Sequence, residues 1–454
     1  MPHKLTINGI ALAMAAALPL STGNAPSVNE YVILVAERDT PAFEHASSAA
    51  NDQTVFAERR LFRGLQKAAE LLNQPGQHTV RLLVAAGQYT GQTNRGVWVL
   101  PPIDNVEGAL HILGGFNDTF SARAPFTHVS ELVTIQGRDG AFIQLGARSK
   151  LRELVISGFL FDAGPSNAYD ARTNSILKGQ SRSYPMISFT QLATDHLVIA
   201  DNIFLNGAHG AFDPFIVPAS AQTVIDIQNN FFLNTIKTMK PAAATSRGNS
   251  VAAINIRHNS FLLNWPFNPD ATSSNVSAIE LYHSDGAQAV NIEGNVFAFN
   301  PGGAMQHDWP DDRMPDMTIR NNLFYMNAGL FENGAADAGI IVGKFGTNPR
   351  YMVLDMASVE DDFDYTVTGN VAIDPQIPIT LSAPLEAANS ASVERKATVL
   401  NDVRRLFGLN QDGGTVAIAN FAPRMTWTPE SLPLAQNEAA RQYGVQVAGV
   451  LGGR

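Results

Sequence analysis

Short alternations of apolar and polar residues recur along the middle of the chain. Each of six segments has a β-branched residue followed three positions later by asparagine, at 197–207, 225–235, 254–264, 290–300, 317–327 and 365–375. A period of two over so few residues predicts β-strands rather than helices. Segments that repeat in this way are typical of stacked supersecondary units.

The asparagines mark the repeat. They are Asn202, Asn230, Asn259, Asn295, Asn322 and Asn370, with separations of 28, 29, 36, 27 and 48 residues. Because asparagine tolerates left-handed backbone, we expect each one at the bend between two strands. We also expect its amide to bond to the asparagine of the next repeat, as an asparagine ladder. In an earlier, degenerate copy at 154–164, Phe159 takes the place of the asparagine.

A phenylalanine follows the asparagine by two positions in five of the six segments, and the sixth has Ala372 there. Alternation along a strand directs this side chain inward, where we expect the rings to stack. The shortest intervals fit three strands and three turns, and the longer ones fit the same unit with a loop insertion.

The residues before the repeats predict a helix that caps the N-terminal end of the stacked strands. The run 55–74 is amphipathic, with Leu61, Leu65, Ala68, Ala69 and Leu72 on one helical face. A strand at 78–92 follows it. A capping helix covers the core and the unpaired strand edge that an open stack exposes.

Together these features resemble the pectate-lyase-like superfamily of right-handed parallel β-helix proteins, over roughly residues 56–375. Segment 110–126 is also similar to a second-rung segment of bacterial exported β-helix repeat proteins. The resemblance implies an all-β parallel β-helix (a solenoid), with an N-terminal capping helix and an irregular C-terminal tail. The superfamily holds lyases, hydrolases, esterases and adhesins, so its fold does not define one function.

The N-terminus has the layout of a secretory signal. A weakly basic start precedes an apolar run at 10–20, and small residues follow. We therefore expect export to the periplasm or outside the cell, without a transmembrane segment, because the run is too short to span a bilayer. The predicted organisation is a signal peptide at 1–25, an N-terminal strand and capping helix at 26–77, a parallel β-helix at 78–390 and a C-terminal cap or tail at 391–454. We expect this tail to pack along the side of the β-helix or to cover its last turn.

The amino-acid composition narrows the classes of protein to which the chain can belong. The 454 residues contain 45 % hydrophobic and 16 % charged residues, which excludes a mostly disordered chain. The absence of cysteine excludes disulfides and thiol nucleophiles. The net charge of −10 argues against nucleic acid as a partner.

In proteins that this chain resembles, the substrate groove follows one sheet, upstream of each repeat segment. The corresponding segments here are 184–190, 214–219, 236–241, 277–286, 304–313 and 340–345. Glu280 and His307 lie at equal offsets before Ile292 and Ile319, which predicts neighbouring side chains on successive strands. A carboxylate beside an imidazole is a general acid–base pair. The candidate catalytic residues are Glu280, His307, His283, Lys240, Lys344 and Asp308.

Two reactions on a polysaccharide substrate stay open. Elimination from a uronate needs a base, for which Lys240 and His307 are candidates, and a cation such as Arg313, Lys344 or Ca²⁺. Hydrolysis needs two carboxylates, and Glu280, Asp285, Asp308, Asp311 and Asp312 supply candidates.

The same loops hold the candidate binding residues. Asp308, Asp311 and Asp312 are oxygen ligands suited to Ca²⁺, although the alternative expectation is no cofactor. Candidate substrate-binding residues, through stacking or charge, are Tyr282, Trp265, Trp309 and Arg313. In the competing interpretation, Glu280 and His307 form a surface ion pair. The chain is then a non-catalytic scaffold or binding subunit of the cell envelope with a protein partner.

Overall fold

The computed structural model is mostly β-structure with long parallel sheets and two helices among the residues that it describes. The described residues are 29–91, 97–133, 141–145, 148–164, 169–170, 175–176, 185–189, 192–207, 210–213, 215–220, 222–233, 235, 238–239, 242–243, 251–262, 264, 278–281, 287–300, 303–308, 316–325, 327, 340–343, 351–354, 360, 365–372 and 442–446. Neither helix is long and apolar enough to cross a bilayer.

Thirteen strands form the large sheet, and every pair in it is parallel. In spatial order its main path is β2 (Val55–Glu58), β1 (Asn29–Val35), β3 (His78–Ala85), β6 (Asp104–Phe116), β9 (Lys150–Ser157), β14 (Leu192–Ala200), β18 (Val224–Gln228), β21 (Val251–Arg257), β24 (Ala287–Glu293), β27 (Asp316–Arg320) and β31 (Thr366–Thr368). The remaining two strands, β17 (Phe215–Pro218) and β20 (Ala242–Ala243), branch from β14.

A second, eight-stranded parallel sheet contains β4 (Gly87–Thr90), β7 (Ser130–Val133), β10 (Phe159–Asp162), β15 (Ile203–Leu205), β19 (Phe231–Leu233), β22 (Ser260–Leu262), β25 (Val296–Ala298) and β28 (Leu323–Tyr325). The third sheet contains β5 (Trp98–Leu100), β8 (Ile143–Leu145), β13 (Ile187–Ser188) and β16 (Phe212–Asp213). The fourth contains β23 (Ile279–Leu281), β26 (Met305–Asp308), β29 (Ile340–Gly343) and β30 (Tyr351–Leu354). β30 is antiparallel to β29, and a small hairpin joins β11 (Tyr169–Asp170) to β12 (Ser175–Ile176).

Successive strands of the chain join these sheets in a fixed order. From β6 to β16 it passes through the large, second and third sheets in turn, and from β21 to β29 through the large, second and fourth sheets. The repeat isoleucines at 199, 227, 256, 292 and 319 pair with one another across the large sheet. This arrangement is compatible with a parallel β-helix.

The asparagines form the predicted ladder between the large and second sheets. The side-chain nitrogens of Asn202, Asn230, Asn259, Asn295 and Asn322 each donate to Oδ1 of the next, ending at Asn370, over 2.9–3.1 Å. The backbone N–H of the same residue donates to that same oxygen. Phe159 takes the first place, as predicted, and its backbone N–H donates to Asn202.

The bend lies one residue earlier than we predicted. The left-handed residues are Gly158, Asp201, Asn229, His258, Gly294, Asn321 and Gly369, each immediately before a ladder position. The preceding residue makes the turn, and this leaves the ladder amide free to point along the stack. Because a bend residue needs only to tolerate φ > 0, its identity varies, whereas the ladder position must supply a buried amide and its identity does not.

The predicted aromatic stack is also present. Rings of Phe161, Phe204, Phe232, Phe261, Phe297 and Phe324 are stacked with centroids 4.8–5.2 Å apart. They belong to one buried apolar cluster that extends from Ile33 to Tyr365. The spacing of the rings follows the separation of parallel strands, ~4.8 Å, so the stack and the sheets share one period.

A second, shorter ladder was not predicted. The side-chain nitrogen of Asn264 donates to Asn300, and that of Asn300 donates to Asn327, at 2.9 and 2.7 Å. All three residues are fully buried. Each lies five positions after an asparagine of the first ladder, so the aligned repeats already contained this signal.

The N-terminal cap differs from the prediction in one part. Helix α2 (Leu61–Leu72) buries the predicted face, but Val55–Glu58 forms edge strand β2 instead of continuing the helix. Gly64 lets α2 approach the sheet, because a Cβ there would lie 2.8 Å from the Val35 side chain. A further helix, α1 (Pro41–Ala49), begins after Thr40, whose hydroxyl accepts a hydrogen bond from Phe43 N.

Five residues of the C-terminal tail, 442–446, lie along the bend between the large and second sheets. Gly444 N donates to Gly294 O at 2.7 Å, and Val445 N donates to Ser260 Oγ at 3.1 Å. This segment therefore packs along the side of the stack, which is one of the two placements expected for the tail. The rest of the predicted tail, and the predicted signal peptide, lie outside the described residues.

Candidate functional site

Glu280 is the predicted catalytic residue that the structure describes in full. It lies on β23, where its backbone N–H donates to Met239 O at 3.0 Å. Ile279 belongs to the main core, so strand alternation directs Glu280 away from that core. Glu280 is nevertheless only 2 % exposed, which means that other groups cover this carboxylate.

The predicted alignment of Glu280 with His307 is wrong by one residue. The parallel register of β23 and β26 pairs Glu280 with Gln306 and Leu281 with His307. Equal offsets failed because the number of residues between these strands and the repeat segments differs by one between the two turns of chain. The two residues still lie on adjacent strands, diagonally placed.

Most of the predicted groove strands are present, with one exception. Segments 184–190, 277–286, 304–313 and 340–345 contribute strands to the third and fourth sheets, and Met239 bridges to Ile279. Segment 214–219 instead forms β17, which pairs with β14 in the large sheet. The strand that joins the third sheet there is the preceding one, β16.

The other candidate residues remain predictions. His307 and Asp308 lie on β26, but their side chains are outside the described part of the structure. The residues that lie wholly outside the described ranges are Lys240, Trp265, Tyr282, His283, Asp285, Trp309, Asp311, Asp312, Arg313 and Lys344. Within those ranges, no group of three or more histidine, aspartate or glutamate residues is arranged to hold a metal ion.

A row of imidazoles and carboxylates on the outward face of the large sheet was missed by the sequence argument. His111 Nε2 and His196 Nδ1 lie 3.1 and 3.2 Å from the two oxygens of Glu153. His196 Nε2 lies 2.7 Å from Asp226, which also accepts a hydrogen bond from Asn255 at 2.8 Å. We call these five residues the outward polar row.

The contacts in this row set the charges of its members. Hydrogen bonds to Asp226 and Glu153 raise the pKa of His196 to about 9. Hydrogen bonds from His111 and His196 hold the pKa of Glu153 far below its ordinary value. Burial alone would raise the pKa of Asp226, but hydrogen bonds from His196 and Asn255 outweigh burial and lower it. At neutral pH, His196 is therefore an imidazolium between two carboxylates.

This protonation state restricts what the outward polar row can do. An imidazolium has no free lone pair, so His196 is unsuited to act as a general base at neutral pH. Its charge-assisted bonds instead link β9, β14 and β18 across the sheet. A signal for part of the row was present, because His111, Asp226 and Asn255 each directly precede an isoleucine of the large sheet, whereas Glu153 and His196 lie three positions before theirs.

No family model, curated protein or solved structure matches the chain. The geometry of the described residues therefore carries the functional argument.

Proposed function

We propose that the chain is a right-handed parallel β-helix of the pectate-lyase-like kind, formed as a solenoid from successive turns of three strands. Three observations support this fold: successive strands join the sheets in a repeating order, the repeat isoleucines are in register, and two asparagine ladders are present. The phenylalanine stack supports the same conclusion, because ring contacts at one strand spacing require one phenylalanine per turn.

On this fold we propose an exported carbohydrate-active enzyme that cleaves a polysaccharide along the face that carries Glu280. The observation behind the proposal is the burial of Glu280 on the outer side of β23. A buried carboxylate costs free energy unless other groups compensate it, and such groups are concentrated at functional sites. In hydrolysis Glu280 serves as one of two carboxylates, and in elimination it orients the base.

The test is a polysaccharide screen with wild-type protein and the Glu280→Gln variant. Unsaturated-product absorbance detects elimination, and new reducing ends detect either reaction, with and without a chelator. Glu280→Gln keeps the shape of the side chain and should abolish turnover with a native circular dichroism spectrum. Glu293→Gln is the matched control, because Glu293 lies on the large sheet in an ion pair with Arg320.

Full turnover by Glu280→Gln would contradict the site, and no turnover of any polymer by the wild type would contradict the enzyme. The competing function is a non-catalytic binding subunit. It is favoured by a cavity of about 570 Å³ that lies at the N-terminal end of the molecule, away from Glu280.

A further inference from the structure

The cavity at the N-terminal end has a basic lining. Arg59 and Arg60 lie between β2 and α2, Arg63 lies in the first turn of α2, and Arg38 follows β1. We call the cavity with these four residues the arginine cleft. Its volume of about 570 Å³ is in the range of small-molecule sites, ~300–1,000 Å³, and exceeds what one inorganic anion fills.

The lining of the cleft carries more cationic than anionic side chains, although Glu58 next to it interacts electrostatically with Arg59 and Arg63. Four arginines line it together with one acidic residue, Glu37. Among the described residues, neither Arg59 nor Arg60 forms an ion pair, and Arg38 approaches only the exposed Asp39, at 3.6 Å. In a chain of net charge −10, this local excess of cations attracts an anionic ligand.

The cleft also has an apolar part. Phe62 and Tyr89 are among its lining residues, and the Arg63 guanidinium lies 5.8 Å from the centroid of Phe62. Tyr89 is only 3 % exposed and its hydroxyl donates to Ala85 O at 2.9 Å, so it belongs to the core, and Phe62 is the aromatic side chain left to contact a ligand. Aromatic rings suit the C–H face of a sugar, and guanidinium groups bind carboxylate and sulfate with paired hydrogen bonds.

We propose that the arginine cleft binds an acidic oligosaccharide, with its oxyanion groups on the arginines and a sugar ring against Phe62. This site is separate from Glu280 and does not depend on turnover there. Carboxylate and sulfate ester groups are two sources of the same recognised chemistry, and the experiment separates them.

Binding is measured by calorimetry on the full chain with three tetrasaccharides: one carboxylated (mannuronate), one sulfated (heparin-derived) and one neutral (cellotetraose). Sodium phosphate is the fourth probe. We expect at least one acidic tetrasaccharide to bind and the neutral one to be rejected. The double substitution Arg59→Gln with Arg60→Gln should weaken that binding by about tenfold or more, because charge-assisted hydrogen bonds are lost.

Arg152→Gln is the matched control, because Arg152 is exposed on β9 and does not line the cleft. It should bind the acidic probe like wild type. An intact thermal midpoint in the double variant shows that it is folded, and Arg59→Lys should bind with intermediate strength. Equal affinity in wild type and the folded double variant overturns the proposal, as does equal binding of cellotetraose or binding of phosphate alone.

Discussion

The side-chain amide of Asn229 bonds in both directions to the backbone of Gln446, 217 residues later in the chain. Gln446 N donates to Asn229 Oδ1 at 2.6 Å, and Asn229 Nδ2 donates to Gln446 O at 3.1 Å. Asn229 has φ 57° and makes the bend before ladder residue Asn230. One residue therefore turns the chain and anchors the C-terminal segment.

Replacement of Asn229 by glycine tests this anchor. Glycine adopts the same left-handed backbone without strain, so the substitution removes only the amide. We expect faster hydrogen exchange at residues 442–446, measured by mass spectrometry, with little change in the strands. Asn321→Gly is the matched control, because Asn321 has φ 53° at an equivalent bend and should leave that segment protected. Unchanged exchange in Asn229→Gly would show that the amide does not hold the segment.

Asn259→Ala tests the ladder. Asn259 donates to Asn295 and to Ile227 O, accepts from Asn230, and is fully buried. Loss of its amide leaves buried groups unpaired, and we expect a loss of about 1–3 kcal/mol in the free energy of unfolding by urea. Asn291→Ala removes an amide from the outward face of the adjacent strand and should cost less. Equal midpoints for wild type and Asn259→Ala would contradict the ladder's role.

Phe232→Ala tests the aromatic stack. The ring is fully buried between Phe204 and Phe261, at centroid distances of 5.0 and 4.9 Å. Its removal leaves a cavity, and we expect a destabilisation of about 3–5 kcal/mol in urea unfolding. Phe232→Leu refills much of that space and should lose less. A cost under about 1 kcal/mol for alanine would argue against a tightly packed interior, because it would mean that the site collapses freely around the missing ring.

The outward polar row predicts a pH dependence with a defined sign. The pKa of His196 rises from an ordinary value of 6.5 to about 9 on folding. Its contribution to stability is therefore complete below pH 6.5 and is lost as the pH rises from 6.5 through 9. Glu153 and Asp226 have lowered pKa values, so their contributions are present at neutral pH and are lost in acid.

Urea midpoints measured from pH 6 to pH 10 check this sign. Wild type should lose stability across the alkaline part of the range, and His196→Gln should lose much less of it. Because the His196 side chain is 38 % exposed, solvent weakens the effect and high salt should reduce it further. His128→Gln removes an imidazole outside the row and should keep the wild-type slope. A His196→Gln slope identical to wild type would show that the ion pairs contribute nothing.

Buried, repeated positions could be predicted from the sequence. The place of each ladder asparagine and the stacking of Phe204 and Phe232 follow from a pattern that every turn must satisfy, because each side chain meets its own copy above and below. The left-handed residue was misplaced by one position. Bend residues such as Asp201 and His258 share a conformation but not a residue type, so no pattern marks them.

Positions outside the repeated core were harder to predict. The alignment of Glu280 with His307 failed because residue counts between sheets are not fixed, and only strand pairing sets the register. The bond between His196 and Glu153 depends on the offset of β9 against β14, which the repeat pattern does not define. The hydrogen bonds between Asn229 and Gln446 join distant parts of the chain, and nothing in the sequence around either residue predicts them.

The first ladder joins residues that are 27, 28, 29, 36 or 48 positions apart, with nearly constant geometry. Each layer supplies an asparagine amide to the next at the bend, whatever the number of residues between them, and all but the last add a phenylalanine ring to the core. Residues can therefore be inserted between successive ladder asparagines while the ladder and the sheets keep their dimensions. The ladder and the sheets thus permit loops of very different length to lie side by side and to change one at a time.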